Sequence, residues 1–349
     1  MIHALIWIAG FLILSLLVGM AYQKFGERRD RRLHPPLGKF VNLGTHRVHL
    51  LEEGQGGPTI IFEAGLMSTN LSWTDIRRKL AESYRVVTYD RAGLGWSDIG
   101  PMPRTAERIV DELHSLLGLA AIPAPYVLVG HSFGGLTMPL FAARYPEKIA
   151  GMVLVDPVVP AEWNPPSEQD LKRASIGAIV CRRAALLSRA GVIRFVAFLL
   201  NSKAKKAAAH LVRVISRGTP ADSGTVSSPW FWNLPPNERQ MASVFWVQEK
   251  FCNTIASQLE SLPGSAKRIA ELDFLSDKPV VILSAKSTPA NRREHHILIT
   301  QRLPQGRHVL ADKSTHWIMQ DQPELVLGAI HAVAQSNSSA FDSPSVLKS

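Results

Sequence analysis

The 349-residue chain has only two cysteines, Cys181 and Cys252. Two thiols build no disulfide framework, and neither has partners at metal-ligand spacing, so a stapled small domain and a zinc ribbon are both excluded. They could form one bridge; two buried thiols are the preferred reading. Charge is sparse as well: 19% of residues are Asp, Glu, Lys or Arg against 46% hydrophobic, which excludes wholesale disorder and leaves material for a large core. No repeat with a period of about 20–50 residues runs through the chain, so a solenoid or propeller is excluded too. Nor does any recognised nucleic-acid-binding motif occur.

Acidic residues are the scarcer sign, 29 against 39 basic, for a net charge of +10. The surplus sits in two places. Residues 24–32, "KFGERRDRR", hold five basic and two acidic side chains, and residues 157–268 hold fifteen and seven. The rest of the chain is close to neutral. A basic collar and a basic internal segment point to an anionic membrane surface rather than a nucleic-acid duplex. For the internal segment, a solvated basic face without a partner explains the charge equally well.

What is abundant at the amino terminus is apolar. "IHALIWIAGFLILSLLVGMAY" (2–22) contains no Asp, Glu, Lys or Arg, and about 20 such residues span a hydrocarbon core. No basic stretch precedes it and no small-x-small cleavage site follows, so a retained transmembrane anchor (1–23) is preferred to a cleaved signal. Lys24, Arg28, Arg29, Arg31 and Arg32 follow it directly, which predicts a cytoplasmic location for the remainder. Residues 24–37 read as a basic, proline-containing linker.

From residue 38 a strand–helix rhythm begins. "KFVNLG" and "HRVHLLEEG" read as a hairpin turned at Gly44-Thr45. Apolar runs at 59–65, 85–90, 126–130 and 151–156 then alternate with helical patterns near 72–83, 105–118 and from about 133. After residue 268 the rhythm resumes, with strands at 278–285 and 306–312 and helices near 290–303 and 323–335. Continuous apolar strands separated by helices predict an α/β fold with a mostly parallel central sheet and helices on both faces. Residues 157–268 break the pattern and read as a helical cap inserted between strands six and seven. The core is then 38–156 with 269–335, and 336–349 is a polar tail.

One short stretch carries chemistry. Gly130-His131-Ser132-Phe133-Gly134 fits G-x-S-x-G, with an apolar strand before it and a helical pattern after it. Such a turn holds a serine hydroxyl exposed in a strained backbone, and Ser132 is the candidate nucleophile. A hydroxyl needs a base. His316 is the candidate, because it lies in the loop between the last strand and the last helix, on the sheet edge where the elbow opens. His131 reads as packing, and His295 and His296 as helix surface. An oxyanion hole needs backbone donors, expected from Phe133 and, in the loop after the third strand, from Leu66.

In order along the chain, "EAGLM", "DRAGLGWSD", "GHSFGG" and "STHW…QPELV" resemble the α/β-hydrolase family over residues 38–335. The resemblance implies a serine hydrolase without metal or organic cofactor, and a loop-holding role for Asp90 and Arg91. Two departures stand out. The family's usual His-Gly at the oxyanion loop is Ala64-Gly65 here. Its triad acid often follows strand seven, where this chain shows none before Glu294; relatives of haloalkane dehalogenases place it after strand six, where Asp156 stands. Asp156 is the expected acid, with Glu294 and Asp312 as alternatives. A serine nucleophile disfavours epoxide and haloalkane chemistry, which this fold performs with a carboxylate.

The expected activity is hydrolysis of a small-molecule acyl ester, lipophilic in view of the anchor. The cap aromatics Trp163, Trp230, Phe231, Trp232, Phe245 and Trp246 either line a pocket or simply pack the cap. An amidase or peptidase of the same fold, and a catalytically inactive binding protein, are the competing readings.

Overall fold

The computed structural model describes residues 1–200, 234–272 and 277–336. Its centre is an eight-stranded sheet ordered β1-β2-β4-β3-β5-β6-β7-β8. The strands are β1 (Lys39–Asn42), β2 (Arg47–Glu53), β3 (Thr59–Glu63), β4 (Val86–Tyr89), β5 (Tyr126–His131), β6 (Ile149–Val155), β7 (Val280–Ala285) and β8 (Gly306–Ala311). β1 and β2 pair antiparallel, β2 joins β4 antiparallel, and every further pairing is parallel. The sheet class, the helices on both faces and the helical insertion between β6 and β7 are as the sequence predicts.

The apolar strands work because successive side chains point to opposite faces and both faces are covered. Ile61, Leu128, Met152, Leu154 and Ile282 pack on one face with Ile109, Leu113 and Leu116 of helix α3 (Ala106–Leu119) and Phe141 of α4 (Gly134–Arg144). Their neighbours Ile60, Phe62, Val127, Val129, Val153 and Val281 pack on the other face with Ile76 and Leu80 of α2 (Thr74–Leu80) and Ile330 and Val333 of the last helix, Pro323–Gln335. α3 shows the one-sided spacing this requires, burying Ile109, Val110, Leu113, Leu116 and Leu117. Thr105 caps its start, accepting from the Arg108 amide.

The chain divides into two compact units, Leu37–Ala174 with Ser257–Ser349, and Met1–Pro36 with Ser175–Ala256. The first holds the sheet. The second holds the apolar helix α1 (Ile2–Leu33), most of α5 (Glu168–Arg189), α6 (Val192–Leu200), the helix Pro236–Trp246 and the start of the helix Glu249–Ala270. α1 does not stop at the apolar run; it continues through the basic collar to Leu33, just before Pro35-Pro36. Its apolar window is long enough to cross a membrane and none of it is buried. Cys181 and Cys252 are free, and burial pushes their thiols up to about 12 and about 11.

Candidate active site

In a parallel sheet the carboxyl ends of the strands share one edge, so the loops after β3, β4, β5, β6, β7 and β8 meet there. The loop after β5 makes the sharpest turn. Ser132 has φ 52°, a left-handed conformation that a residue with a side chain adopts only at a cost. The turn is held on both sides: the Ser132 amide donates to the Val155 carbonyl (3.1 Å), and the Ser132 carbonyl accepts from Gly135 and Val158 (both 2.8 Å). Gly130 is required by close approach, since a Cβ there would lie 2.7 Å from the Gly134 carbonyl oxygen.

Asp156, at the end of β6, is the neighbouring turn and is also left-handed, φ 43°. Its amide donates to the Leu283 carbonyl at 2.8 Å, and its carboxylate is almost fully engaged. Oδ1 accepts from the Thr288 hydroxyl (2.5 Å) and the Ala285 amide (3.3 Å), both from the end of β7. Oδ2 faces His316 Nδ1 at 2.6 Å. Burial alone would raise this carboxyl; the hydrogen bond and charge of His316, with help from Thr288 and Arg292, outweigh it and hold the group down at about 2. Asp156 is thus an acceptor throughout the working pH range. A proton on His316 Nδ1 leaves Nε2 of the neutral ring with its lone pair.

His316 is fixed from behind by His131. The His131 Nε2–H donates to the His316 carbonyl at 2.9 Å, and the two rings lie 4.6 Å apart at 45°. Trp317 closes on the same imidazole, its ring 4.7 Å from that of His131. Burial, and the neighbouring His316, push His131 down to about 3, so it stays neutral. Its Nδ1 is buried beside Gly65, where a Cβ would meet that nitrogen at 2.9 Å and Ser132 Cβ at 3.4 Å. Gly65 is therefore a close-approach glycine, and it places the loop after β3 against the elbow.

That loop is braced from β4. Arg91 donates to the carbonyls of Ala64 (2.5 Å), Gly65 (2.6 Å) and Leu66 (3.2 Å), and pairs with the buried Glu63 carboxylate. Its guanidinium also lies 5.3 Å from the centre of the Phe133 ring. With three carbonyls turned toward Arg91, the Leu66 amide is left to point elsewhere. Among the described residues neither the Leu66 nor the Phe133 amide has an acceptor within the chain. Asp90 ties the surrounding loops, accepting from the Asn70 amide (3.0 Å), the Trp96 amide (3.2 Å) and the His49 ring (3.0 Å).

Of the residues singled out from sequence, Ser132, Asp156, His316, Leu66 and Phe133 therefore all lie on loops at this one sheet edge. Glu294 and Asp312 are exposed, and the carboxylate bonded to His316 is that of Asp156. His296 departs from expectation. It is fully buried rather than on the surface, bonded through Nδ1 to Ser284 Oγ (2.7 Å) and through Nε2 to the Pro157 carbonyl (2.9 Å). Burial pushes it down to about 4. Ser284 Oγ also meets His308 Nε2 at 2.8 Å, so a polar chain runs from β8 to the carbonyl of Pro157, the residue after Asp156. Thr288 was not singled out from sequence; its signal is a hydroxyl in "SAKSTPA", where the family's acid would otherwise stand.

Among the cap aromatics, Trp163 packs against the core, Phe245 is buried, and Trp246 stacks on Phe251 with centroids 5.6 Å apart. Trp230, Phe231 and Trp232 lie outside the described residues. Among the described residues no group of three or more His, Cys, Asp or Glu side chains is placed to hold a metal ion.

A family model for the alpha/beta hydrolase fold matches residues 58–323. Among curated sequences, an AB hydrolase superfamily protein of Gibberella zeae is 24% identical over 314 residues, covering 80% of this chain and 86% of that protein. A probable transporter of Hormonema carpetanum is 40% identical over 124 residues, which is 33% of this chain and 18% of the relative. The chain spans less than half the length of two of the curated relatives it matches, 18% and 44%. Among solved structures, a thermophilic esterase from Thermogutta terrifontis superposes with a TM-score of 0.54 at 20% identity, covering 84% of this chain and 97% of that one.

Proposed function

The chain belongs to the alpha/beta hydrolase fold family, and from that premise we propose that it is a membrane-anchored serine hydrolase acting on a carboxylic ester. Ser132 is the nucleophile, His316 the base, Asp156 the acid that orients it, and the amides of Leu66 and Phe133 the oxyanion hole. The observation that carries this reading is the 2.6 Å contact between His316 Nδ1 and Asp156 Oδ2, made beside a serine held at positive φ.

The reaction follows from the proton positions. With its proton on Nδ1 donated to Asp156, His316 accepts the Ser132 Oγ proton at Nε2 as Oγ attacks the ester carbonyl carbon. The carbonyl electron pair moves onto oxygen, where the two free amides receive it; each such donor is worth about 10²–10³ in rate. Collapse expels the alcohol, which takes the proton from His316, and leaves the acyl group on Ser132. Water then gives its proton to His316 and attacks the acyl carbon. The second collapse releases the carboxylic acid and returns the proton to Ser132. Every step balances on these groups and water.

Support for the anchor is the exposed apolar helix followed by the basic collar, which also favours the cytoplasmic side and a lipophilic substrate. The test is turnover of paired aryl esters and aryl anilides, by full-length wild type and by Ser132→Ala in detergent. Ester turnover that Ser132→Ala abolishes supports the reading. Equal or faster anilide turnover moves it to an amidase, and no turnover of either by the folded wild type contradicts it.

A further inference from the structure

Within the unit that contains α1, protein contact begins at Gly19. A Cβ on Gly19 would collide with the Ala190 carbonyl, and one on Gly191, which has φ 74°, with the Gly19 carbonyl. The corner joining α5 to α6 therefore rests backbone-to-backbone on α1. One turn on, Gln23 is 3% exposed; its Nε2 donates to the Val247 carbonyl and to Glu27 Oε1 (both 2.9 Å), and its Oε1 accepts from Arg194 Nε at 3.0 Å. Arg194 also pairs with Asp30 at 2.6 Å. The docked stretch of α1 runs from Gly19 to Asp30.

On the reading of α1 as a membrane anchor, the length of its span sets the depth of this corner. A hydrocarbon core takes about 20 residues of helix, so a span beginning at Ile2 ends near Tyr22. Docking starts three residues earlier, roughly 4.5 Å inside that limit at about 1.5 Å per residue. A corner that touches α1 at Gly19 has to meet the same boundary. The side chains around it suit that place. Leu186 (67% exposed), on α5 one turn before the corner, and Phe195 (49%) and Phe198 (61%) on α6 are all exposed. Arg182, Arg183 and Arg189 are exposed on α5 among them, and Lys24, Arg28, Arg29, Arg31 and Arg32 on α1. Large apolar residues among arginines are the composition of an interfacial helix on an anionic leaflet.

We propose that the α5–α6 corner is a second membrane contact, in which Leu186, Phe195 and Phe198 enter the boundary between headgroups and acyl chains of an anionic bilayer. α1 then fixes the depth and rotation of this unit at the membrane rather than only tethering it.

The test is site-directed spin labelling of the full chain in vesicles of phosphatidylcholine and phosphatidylserine. The background is Cys181→Ala/Cys252→Ala, with labels on Leu186→Cys, Phe198→Cys, Leu12→Cys within the span, and Asn237→Cys as a polar reference. A circular-dichroism melt checks that each variant is folded. Oxygen accessibility above that of a water-soluble nickel chelate at Phe198→Cys and Leu186→Cys, as at Leu12→Cys and opposite to Asn237→Cys, supports the proposal. Lipid exposure at Leu12→Cys with aqueous exposure at both corner sites overturns it while the anchor stands. Aqueous exposure at Leu12→Cys overturns the anchor, and the proposal with it. Low access to both reagents, with spin–spin broadening between molecules, assigns the surface to a second copy and overturns the lipid contact.

Discussion

Asp156 shows how much of the site depends on one carboxylate. Two donors from the end of β7 and one imidazole converge on it. Asp156→Asn keeps the shape but offers an N–H where His316 Nδ1 needs an acceptor, so kcat should fall by about 10³–10⁴. The Thr288 hydroxyl donates to Asp156, which makes Thr288 a positioning residue on the proposed reading. Removing its hydroxyl takes away a hydrogen bond to a charged group, about 1.5–3 kcal/mol in typical cases. Thr288→Ala should therefore lower kcat by about 10–100-fold with little change in KM, and Thr288→Ser should restore most of it. Steady-state kinetics on the ester substrate distinguish this from a merely structural loss, which Thr288→Ser would not rescue.

The same residue marks the limit of what could be read from sequence. The placement of Ser132 and His316 at one sheet edge was legible because local structure constrains it: a glycine-framed strand-to-helix turn, and a loop after the last strand. The carboxylate partner of His316 was less so, because spacing along the chain does not say which acidic residue meets an imidazole in space; here it is Asp156. The bracing of the loop after β3 was hidden as well. Arg91 holds it through three carbonyl contacts, which come from a strand neighbour, not from a sequence neighbour. His296 misled because its helix, Ala290–Arg302, buries little else, only Thr300 besides. A polar residue on a mostly polar helix reads as surface unless the buried Ser284 and Pro157 carbonyl that satisfy it are known.

At the scale of elements, the buried strands were legible to within two residues at each end, since a strand covered on both faces is an unbroken apolar run bounded by turn residues. Helix α1 was less so. The apolar stretch is plain, but its continuation through "KFGERRDRR" depends on Gln23 and Asp30 finding partners far along the chain. This separates two truncations. Removing residues 2–18 deletes only exposed side chains and should leave the thermal midpoint within a degree or two in detergent. Removing 2–33 strips Val247 and Arg194 of their partners and should lower the midpoint of the cap transition clearly. Differential scanning fluorimetry of both truncated chains checks this; equal midpoints would mean that the contacts of Gln23 and Asp30 contribute nothing.

For the whole molecule, acid should be the destabilising direction. His131 and His296 titrate near 3 and 4 when folded, against 6.5 in an exposed chain. Their burial as neutral rings stabilises the fold fully above pH 6.5, and that contribution is lost as pH falls, because the unfolded chain takes up protons that the native state refuses. Asp156 adds a second loss, spread from its ordinary 3.8 down to about 2. Chemical denaturation from pH 7.5 to 4 should show stability dropping steadily below about 6.5, and His296→Gln should flatten that slope.

The central claim is that the glycine-framed turn exists to activate one hydroxyl. The most direct measurement is a serine-directed fluorophosphonate applied to full-length protein in membranes, followed by peptide mass spectrometry. The account predicts a single adduct on Ser132, absent in Ser132→Ala and formed far more slowly in His316→Ala and Asp156→Asn. No adduct on folded wild type, or one on another serine, would contradict it.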